Sequence, residues 1–551
     1  MKWRFAAIIF PFGIAYLFLI INLYSIQIDK SDYYLARAAF QLNAANNLES
    51  DRGNIYFTDK NNNLIPAVLN KDYDMIFAVP KEITQKAGEM GIKISDFAEK
   101  LAPIVNLPTE ELEKKFNKKN DLYELLVQKA APEQVKQIQE LVSRGFKGVY
   151  VVKQKLRSYS FNSLASHLLG FVSLAGDNEV SKYGNSQIGR YGVELQFNSV
   201  LIGEKGKEGQ DIILTIDHDI QSQSEKILEK LISDWEAEGG TIIVQEPSSG
   251  KILAMANFPN FDPNNYSSFD IKSFLNPATQ LVYEPGSVFK IMTMAAGIDI
   301  GKITPETTYV DKGTITLNNK TIHNWWNKIY GKATMTEVLE NSINTGSVFA
   351  EQKTGHETFY QYLTKFGFNE LTKINLPGEV KSNIKNLVKG RDIHYATASF
   401  GQGISVTPIS LINAFSAVAN DGVLMKPLIL ADEKPQTIRR VISSETSKKM
   451  IQMMISVVKK NKVADIADYS VAGKSGTAYI PDFKLGGYTD KVINTFIGFA
   501  PANSPKFVVL IKLDKPASAP FATVAIGPAF WDLTRFILNY YNIPPVNLVN
   551  L

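Results

Sequence analysis

Cysteine is missing from all 551 residues, which removes disulfides, thiolate nucleophiles, Cys-ligated zinc and iron–sulfur clusters from consideration. The compartment stays open, because reducing and oxidising spaces both accommodate a Cys-free chain. Histidine is scarce: His167, His218, His323, His356 and His394 stand far apart and form no His-x-x-x-His or His-Glu-x-x-His pair. This argues against a transition-metal centre and for ordinary surface or core histidines. Neither sign of charge dominates, since 59 Lys+Arg against 55 Asp+Glu leave a net +4, which carries no nucleic-acid footprint. Internal repeats and low-complexity tracts are absent too. What is present is 45% hydrophobic and 11% aromatic residues, enough to offset the entropy of folding, so whole-chain disorder is excluded and the length suits two to four domains.

Only one long hydrophobic run occurs. Lys2 and Arg4 precede Phe5 to Ile28, which contains no charged residue and is closed by Asp29 and Lys30. At about 1.5 Å per residue this run exceeds the roughly 30 Å hydrocarbon core of a bilayer, and it is longer than the apolar region of a cleaved signal peptide. It predicts one transmembrane helix, with the basic N-terminus in the cytoplasm and everything after Asp29 outside. The stretch Ile404 to Leu430 is broken by Pro408, Asn420, Asp421 and Lys426 and reads as a buried helix.

Residues 29 to about 210 are polar and rich in Lys and Asn, with helical periodicity in Ile94–Asn117 and Glu133–Ser143. From Asp211 the texture changes. Ile212–Ile216 is β-like, Ile220–Trp235 an amphipathic helix, and Thr241–Gln245 with Lys251–Met255 a hairpin around Pro247-Ser248-Ser249-Gly250. Asn494–Ala500 and Phe507–Leu513 are strand-like, and Ala529–Tyr541 reads as a closing helix. Strands at both ends with helices between predict an α/β domain over residues 211–551 whose sheet pairs early and late strands.

Without Cys or a metal, the available nucleophiles are hydroxyls, and a hydroxyl needs a base beside it. In Tyr283-Glu284-Pro285-Gly286-Ser287-Val288-Phe289-Lys290, Pro-Gly makes a turn and a mostly apolar helix follows. Ser287 then falls in the first turn, with Lys290 on the same face three residues on. Burial lowers a lysine's proton affinity and suits it to act as a base. The tetrad Ser-x-x-Lys recurs at Ser248, Ser382 and Ser456, so context separates the first from the rest. Ser342-Ile343-Asn344 and Lys474-Ser475-Gly476-Thr477 follow in order. Ser342 and Asn344 alone read as a helix cap, and Lys474 as a strand-edge lysine. Lys353-Thr354-Gly355 is a decoy of the third signal, and a phosphate-binding loop at Gly473-Lys474-Ser475 fails because Asp468 stands where a Gly is required.

Together the three signals resemble the Ser-x-x-Lys, Ser-x-Asn and Lys-[Ser/Thr]-Gly set of penicillin-binding proteins and serine β-lactamases. Asp51-Arg52-Gly53-Asn54-Ile55, Arg157, His167-Leu168-Leu169-Gly170, Gly189-Arg190-Tyr191-Gly192-Val193-Glu194 and Leu201-Ile202-Gly203 look like the N-terminal module of the class B members. Gly401–Pro408 and Phe496–Pro501 are similar to their transpeptidase domain. Two departures stand out: Asp59-Lys60-Asn61-Asn62 replaces a common Asp-Arg-Asn-Gly turn, and Ser475 replaces the commoner Thr but keeps the hydroxyl.

The resemblance implies an α/β (α+β) serine transpeptidase fold with an antiparallel sheet and a helical block over 211–551, preceded by an elongated pedestal module at 29–210 and an anchor at 1–28. It implies a bacterial, membrane-anchored peptidoglycan D,D-transpeptidase, with its catalytic domain extracytoplasmic, that is acylated by β-lactams and needs no cofactor. Ser287 would be the nucleophile, Lys290 its base and Ser342 a proton relay, while Asn344 would bond the donor's peptide amide. Lys474 would supply positive potential, Ser475 and Thr477 would bind the terminal carboxylate beside Gly476, and the N–H groups of Ser287 and Thr477 would form the oxyanion hole. The partners implied are stem peptides ending in D-Ala-D-Ala, a polytopic SEDS-family glycosyltransferase and other division or elongation proteins. The Gly401 and Phe496 runs look more like the cell-division branch than the elongation branch that maintains cell shape. A membrane-anchored β-lactamase and a non-catalytic scaffold of a wall-synthesis complex are the alternatives. Trp325 and Trp326 read as packing residues.

Overall fold

A computed structural model of the chain describes residues 51–545, interrupted at 92, 119–120, 122, 175–186, 204–207, 463–465, 467–468, 483 and 519–520, together with Tyr16, Phe18, Leu19 and Leu23. Apart from those four positions, which are helical, the expected membrane helix lies outside the described residues. No helix among the described residues is long and apolar enough to cross a membrane.

The N-terminal part is built on a sheet of β1 (Ile55–Thr58), β2 (Leu64–Ala78), β3 (Glu124–Ala130) and β4 (Val149–Tyr159), with β2 bonded to the other three. The β1–β2 turn is the departure noted at Asp59: Asn62 takes a left-handed φ of 61°, and the Asp59 carboxylate accepts from the Asn61 and Asn63 N–H groups. The predicted helical stretch from Ile94 is two helices, Ile94–Val105 and Thr109–Phe116. Asn106 at φ 56° ends the first and Pro108 caps the second, a break that periodicity alone does not reveal. Arg52 and Arg157 converge on the Glu194 carboxylate at 2.5 and 2.8 Å, all three buried, so the separate N-terminal motifs meet in one ion cluster.

Strand β5 (Ile212–Asp217) pairs in parallel with β1, and its backbone also bonds Ile429 and Ala431 of the C-terminal part. Asp217 caps helix α1 (His218–Trp235) by accepting from the Asp219 and Ile220 N–H groups. The C-terminal sheet is antiparallel, in the order β8 (Ala472–Pro481), β9 (Tyr488–Ala500), β10 (Phe507–Asp514), β6 (Gly239–Gln245), β7 (Ile252–Phe258). Early and late strands pair through Ile242 opposite Ile511 and Ile243 opposite Leu510. Alternate residues serve opposite faces. Ile242, Val244, Val509 and Ile511 pack with Leu228 and Leu231 of α1 and with Phe530 and Leu533 of the closing helix Gly527–Tyr540. Ile243, Val508 and Leu510 face the helical block. Both faces are covered, so these strands read as continuous apolar runs. Within the block lie α2 (Lys290–Asp299), α3 (Asn344–Thr354) and α4 (Pro408–Ala419), the last buried at every residue, as expected for the broken apolar stretch.

Candidate active site

Ser287 sits in one 3-10 turn, Gly286–Phe289, that runs into α2. Three segments hold the turn. Gly286 N–H donates to Gly401 O at 3.1 Å, and a Cβ on Gly401, whose φ is 81°, would stand 2.3 Å from Gly286 O. Tyr283 and Val406 exchange backbone hydrogen bonds of 3.0 and 2.8 Å. The Glu284 carboxylate accepts from Gly403 N–H and the Tyr488 hydroxyl, both at 3.0 Å. From the sheet side, a Cβ on Gly476 would lie 3.0 Å from both Pro285 O and Val288 N, so β8 approaches the turn as closely as backbone allows. The run Gly401–Pro408 thus buttresses the Ser287 turn.

Lys290 is fully buried, and its amine turns toward the Ser342–Asn344 corner. Its Nζ donates to Ser342 O at 2.5 Å and to Asn344 Oδ1 at 2.9 Å, with Ser342 Oγ at 3.3 Å. The Ser287 hydroxyl, half-buried three residues earlier, makes no hydrogen bond among the described residues. Helical spacing therefore sets the neighbourhood of Ser287 and Lys290, but the amine's partners come from elsewhere, because a buried amine must find acceptors. Ser342 takes a left-handed φ of 54°, and both its carbonyl and its hydroxyl meet the same amine.

The corner is fixed from behind. Asn344 Nδ2 donates to His323 O at 2.9 Å. Thr345 donates its hydroxyl to Asp311 at 2.6 Å and its N–H to Asn324 Oδ1 at 3.1 Å. The buried Asp311 carboxylate also accepts from Gly313 N–H, Tyr330 N–H and Asn324 Nδ2, at 2.8 to 2.9 Å.

Lys474 enters from β8. Its Nζ lies 3.2 Å from Ser342 Oγ and donates to Ser475 O at 2.8 Å, so the Ser342 hydroxyl stands between two lysine amines. Burial pushes Lys474 down to about 7. Burial, and then the charge of Lys474, hold Lys290 well below the ordinary lysine range. Both amines are thus held toward the neutral form, and the two titrate as a pair. Farther along β8, Thr477 donates its hydroxyl to Asn494 Oδ1 at 2.9 Å and accepts from Ala522 N–H at 3.2 Å. The Ser475 hydroxyl is unengaged among the described residues.

The eight residues singled out by sequence thus occupy one cleft between the edge of β8, the Ser287 turn and the corner before α3. The decoys do not. Ser248 is in the turn before β7, Ser456 donates to Glu340, and Lys353–Gly355 ends α3 at the opposite terminus from Asn344. Glu284, Asp311, Asn324 and Asn494 escaped sequence reasoning, because each acts through a register or loop closure that no local motif announces. Trp325 packs as expected, stacked on Tyr479 at 5.6 Å. Trp326 does not: at φ 54° it is 77% exposed, with its ring edge-on to that of Phe521 at 5.2 Å. Among the described residues, no group of His, Asp and Glu is arranged to hold a metal ion.

Comparison with known proteins agrees with this geometry. A family model described as the penicillin binding protein transpeptidase domain matches residues 240–530, and one described as the penicillin-binding protein dimerisation domain matches residues 47–212. Stage V sporulation protein D of Bacillus subtilis is 31% identical over 540 residues, covering 90% of this chain and 79% of that protein. A probable peptidoglycan D,D-transpeptidase, PbpC of Pseudomonas aeruginosa, is 32% identical over 437 residues, covering 74% and 75%. Among solved structures, penicillin binding protein 3 of Mycobacterium tuberculosis superimposes with a TM-score of 0.64 at 30% identity, covering 71% of this chain and 92% of that one. With both domains matched and the cleft assembled from the three motifs, the chain belongs to the class B penicillin-binding proteins.

Proposed function

We propose that the chain, a peptidoglycan D,D-transpeptidase by family, acts through a Ser287 acyl-enzyme. The observation that carries this reading is the buried Lys290 amine three residues on from Ser287, whose hydroxyl is unengaged among the described residues. A neutral amine has two N–H donors and one lone pair. Donating to Ser342 O and Asn344 Oδ1 leaves that lone pair for a hydroxyl proton. Lys290 takes the Ser287 proton as Oγ bonds to the carbonyl carbon of the penultimate D-Ala, and the oxyanion receives hydrogen bonds from the Ser287 and Thr477 N–H groups. The C–N bond to the terminal D-Ala breaks, and its nitrogen regains a proton through Ser342. An amine of a second stem peptide then attacks the ester, loses a proton to the same relay and releases Ser287.

Asn344 was expected to bond the donor's peptide amide. Both its polar ends are engaged, so we assign it first to holding Lys290. Ser475 supplies the free hydroxyl for the substrate carboxylate and Lys474 the charge. A β-lactam acylates Ser287 in place of D-Ala-D-Ala. Fluorescent penicillin should label the wild type and not Ser287→Ala; equal labelling of both overturns the assignment. Loss of cross-linking with retained partner binding in that variant separates enzyme from scaffold, and steady-state penicillin hydrolysis would favour a β-lactamase.

We further propose that residues 1–28 anchor the chain in the bacterial cytoplasmic membrane, that 29–210 form the pedestal and that 211–551 form the extracytoplasmic catalytic unit. The charge-free run Phe5–Ile28 and the two family matches support this division. A septal role beside a SEDS-family polymerase rests on the division-like runs at Gly401 and Phe496, and a relative from Mesostigma viride is named a peptidoglycan D,D-transpeptidase FtsI homolog. A fluorescent fusion enriched at midcell supports that role; a dispersed sidewall pattern points to elongation.

A further inference from the structure

Away from the catalytic cleft, where the pedestal sheet meets the catalytic unit, lies a cavity of about 600 Å³ walled by β2, β3, the end of β4 and the loop carrying Asn264. A smaller cavity of about 60 Å³ adjoins it and shares Lys129, Tyr159 and Asn264. The walls carry neutral hydrogen-bonding groups: the Asn70 and Asn264 amides are bonded at both ends, to Arg52 O and Arg157 and to the Tyr159 backbone, while Asn162 and the hydroxyls of Ser158 and Ser160 face the cavity beside them.

The charge around these cavities is unbalanced. Behind Asn70 the buried cluster sets two guanidiniums, Arg52 and Arg157, against the single carboxylate of Glu194. Arg157 lines the smaller cavity, is 3% exposed, and its Nη2 has no hydrogen-bond partner among the described residues. Its Nη1 donates to Asn70 Oδ1 at 3.0 Å, which ties the cluster to the wall of the larger cavity. Lys129 forms no ion pair among the described residues; its Nζ has one carbonyl acceptor, Arg157 O at 3.3 Å, and stands 4.9 Å from the Tyr73 ring centroid. Lys71 is equally unpaired and lies over the same ring. Burial lowers the Lys129 pKa, so its charge is held at a cost.

An orphaned, buried guanidinium N–H and an unpaired, half-buried ammonium on a cavity of hydroxyls and amides match an anion that also carries many hydroxyl or amide groups. We propose that this junction cavity binds an anionic acylamino saccharide, with the anionic group near Lys129 and Arg157 and the sugar hydroxyls on Asn162, Ser158 and Ser160. The choice of a wall saccharide rests on the transpeptidase reading. A phosphate would mark a lipid-linked precursor as the source and a carboxylate the finished glycan.

The test is titration calorimetry on the full chain with N-acetylglucosamine 1-phosphate, N-acetylmuramic acid and neutral N-acetylglucosamine. Saturable binding of either anionic sugar, at least tenfold tighter than the neutral one, is expected. It should weaken tenfold or more in Lys129→Gln, be largely retained in Lys129→Arg, and weaken with added salt. A cooperative unfolding transition near that of the wild type checks that Lys129→Gln is folded. Binding of the phosphate sugar alone assigns the precursor, and binding of the carboxylate sugar alone assigns the glycan. Absence of saturable binding, equal binding of the neutral sugar, or indifference to both Lys129→Gln and Lys71→Gln overturns the proposal. Penicillin labelling of Ser287 is read separately, so failure here leaves the catalytic assignment standing.

Discussion

Asn344→Asp tests the role of the corner most directly, because it keeps the side chain's shape while adding a charge and exchanging the Nδ2 donor to His323 O for an acceptor. The oxygen that is kept lies 2.9 Å from Lys290 Nζ. At that separation and an effective dielectric near 20, a carboxylate attracts an ammonium by about 5 to 6 kcal/mol. Desolvating the new carboxylate takes back roughly half of this, leaving about 3 kcal/mol, or about two pKa units, in favour of protonated Lys290. The base is then blocked up to a higher pH than in the wild type. Measured as the rate of acylation by fluorescent penicillin at pH values on the wild type's rising limb, activity should fall roughly 30- to 100-fold. The rising limb of the pH profile should move up by about two units, with the alkaline plateau recovering to within about tenfold of wild type. A limb that stays put with a rate near that of the wild type would refute the idea that Asn344 sets the state of Lys290. A loss equal at every pH would assign Asn344 to ligand contact instead.

In the wild type, acylation should decline as pH falls through the titration of the Lys290–Lys474 pair, because protonating Lys290 removes the base; single-turnover labelling from about pH 5 to 9 measures it. Gly401→Ala forces a left-handed φ on a side chain whose Cβ would meet Gly286 O at 2.3 Å, so penicillin labelling should drop at least tenfold. Glu194→Gln leaves two buried guanidiniums without a carboxylate; the expected cost is about 3 to 5 kcal/mol, seen by calorimetry as a lower unfolding temperature.

The site was legible in the sequence to the extent that its chemistry is written locally. Ser287 and Lys290 share a turn and a helix start, and Lys474 to Thr477 share a strand, so order and texture separated them from their decoys. The strand pairs and the closing helix were legible for the same reason, as apolar runs of period two or 3.6. Contacts that depend on register were not. Thr477 meets Asn494 only because those residues oppose each other across β8 and β9. Asp311 reaches Thr345 only because Thr308–Asp311 pairs with Gly331–Thr334 next to α3. Trp326 went the other way: apolar character predicted packing, and a left-handed backbone left it in solvent.

By itself the sequence determined which chemistry was open. The absence of Cys and of paired His left a serine with a lysine base, and three short motifs in order identified the family. The tertiary structure decided which groups set the state of that base. In water a lysine amine is already protonated at neutral pH and has no lone pair to offer; burial and the second amine of Lys474 lower its proton affinity, while two acceptors on a left-handed corner far along the chain hold it in place. Burial and charge are sums over space, so residues separated in sequence fix them, and no reading along the chain could supply the distances.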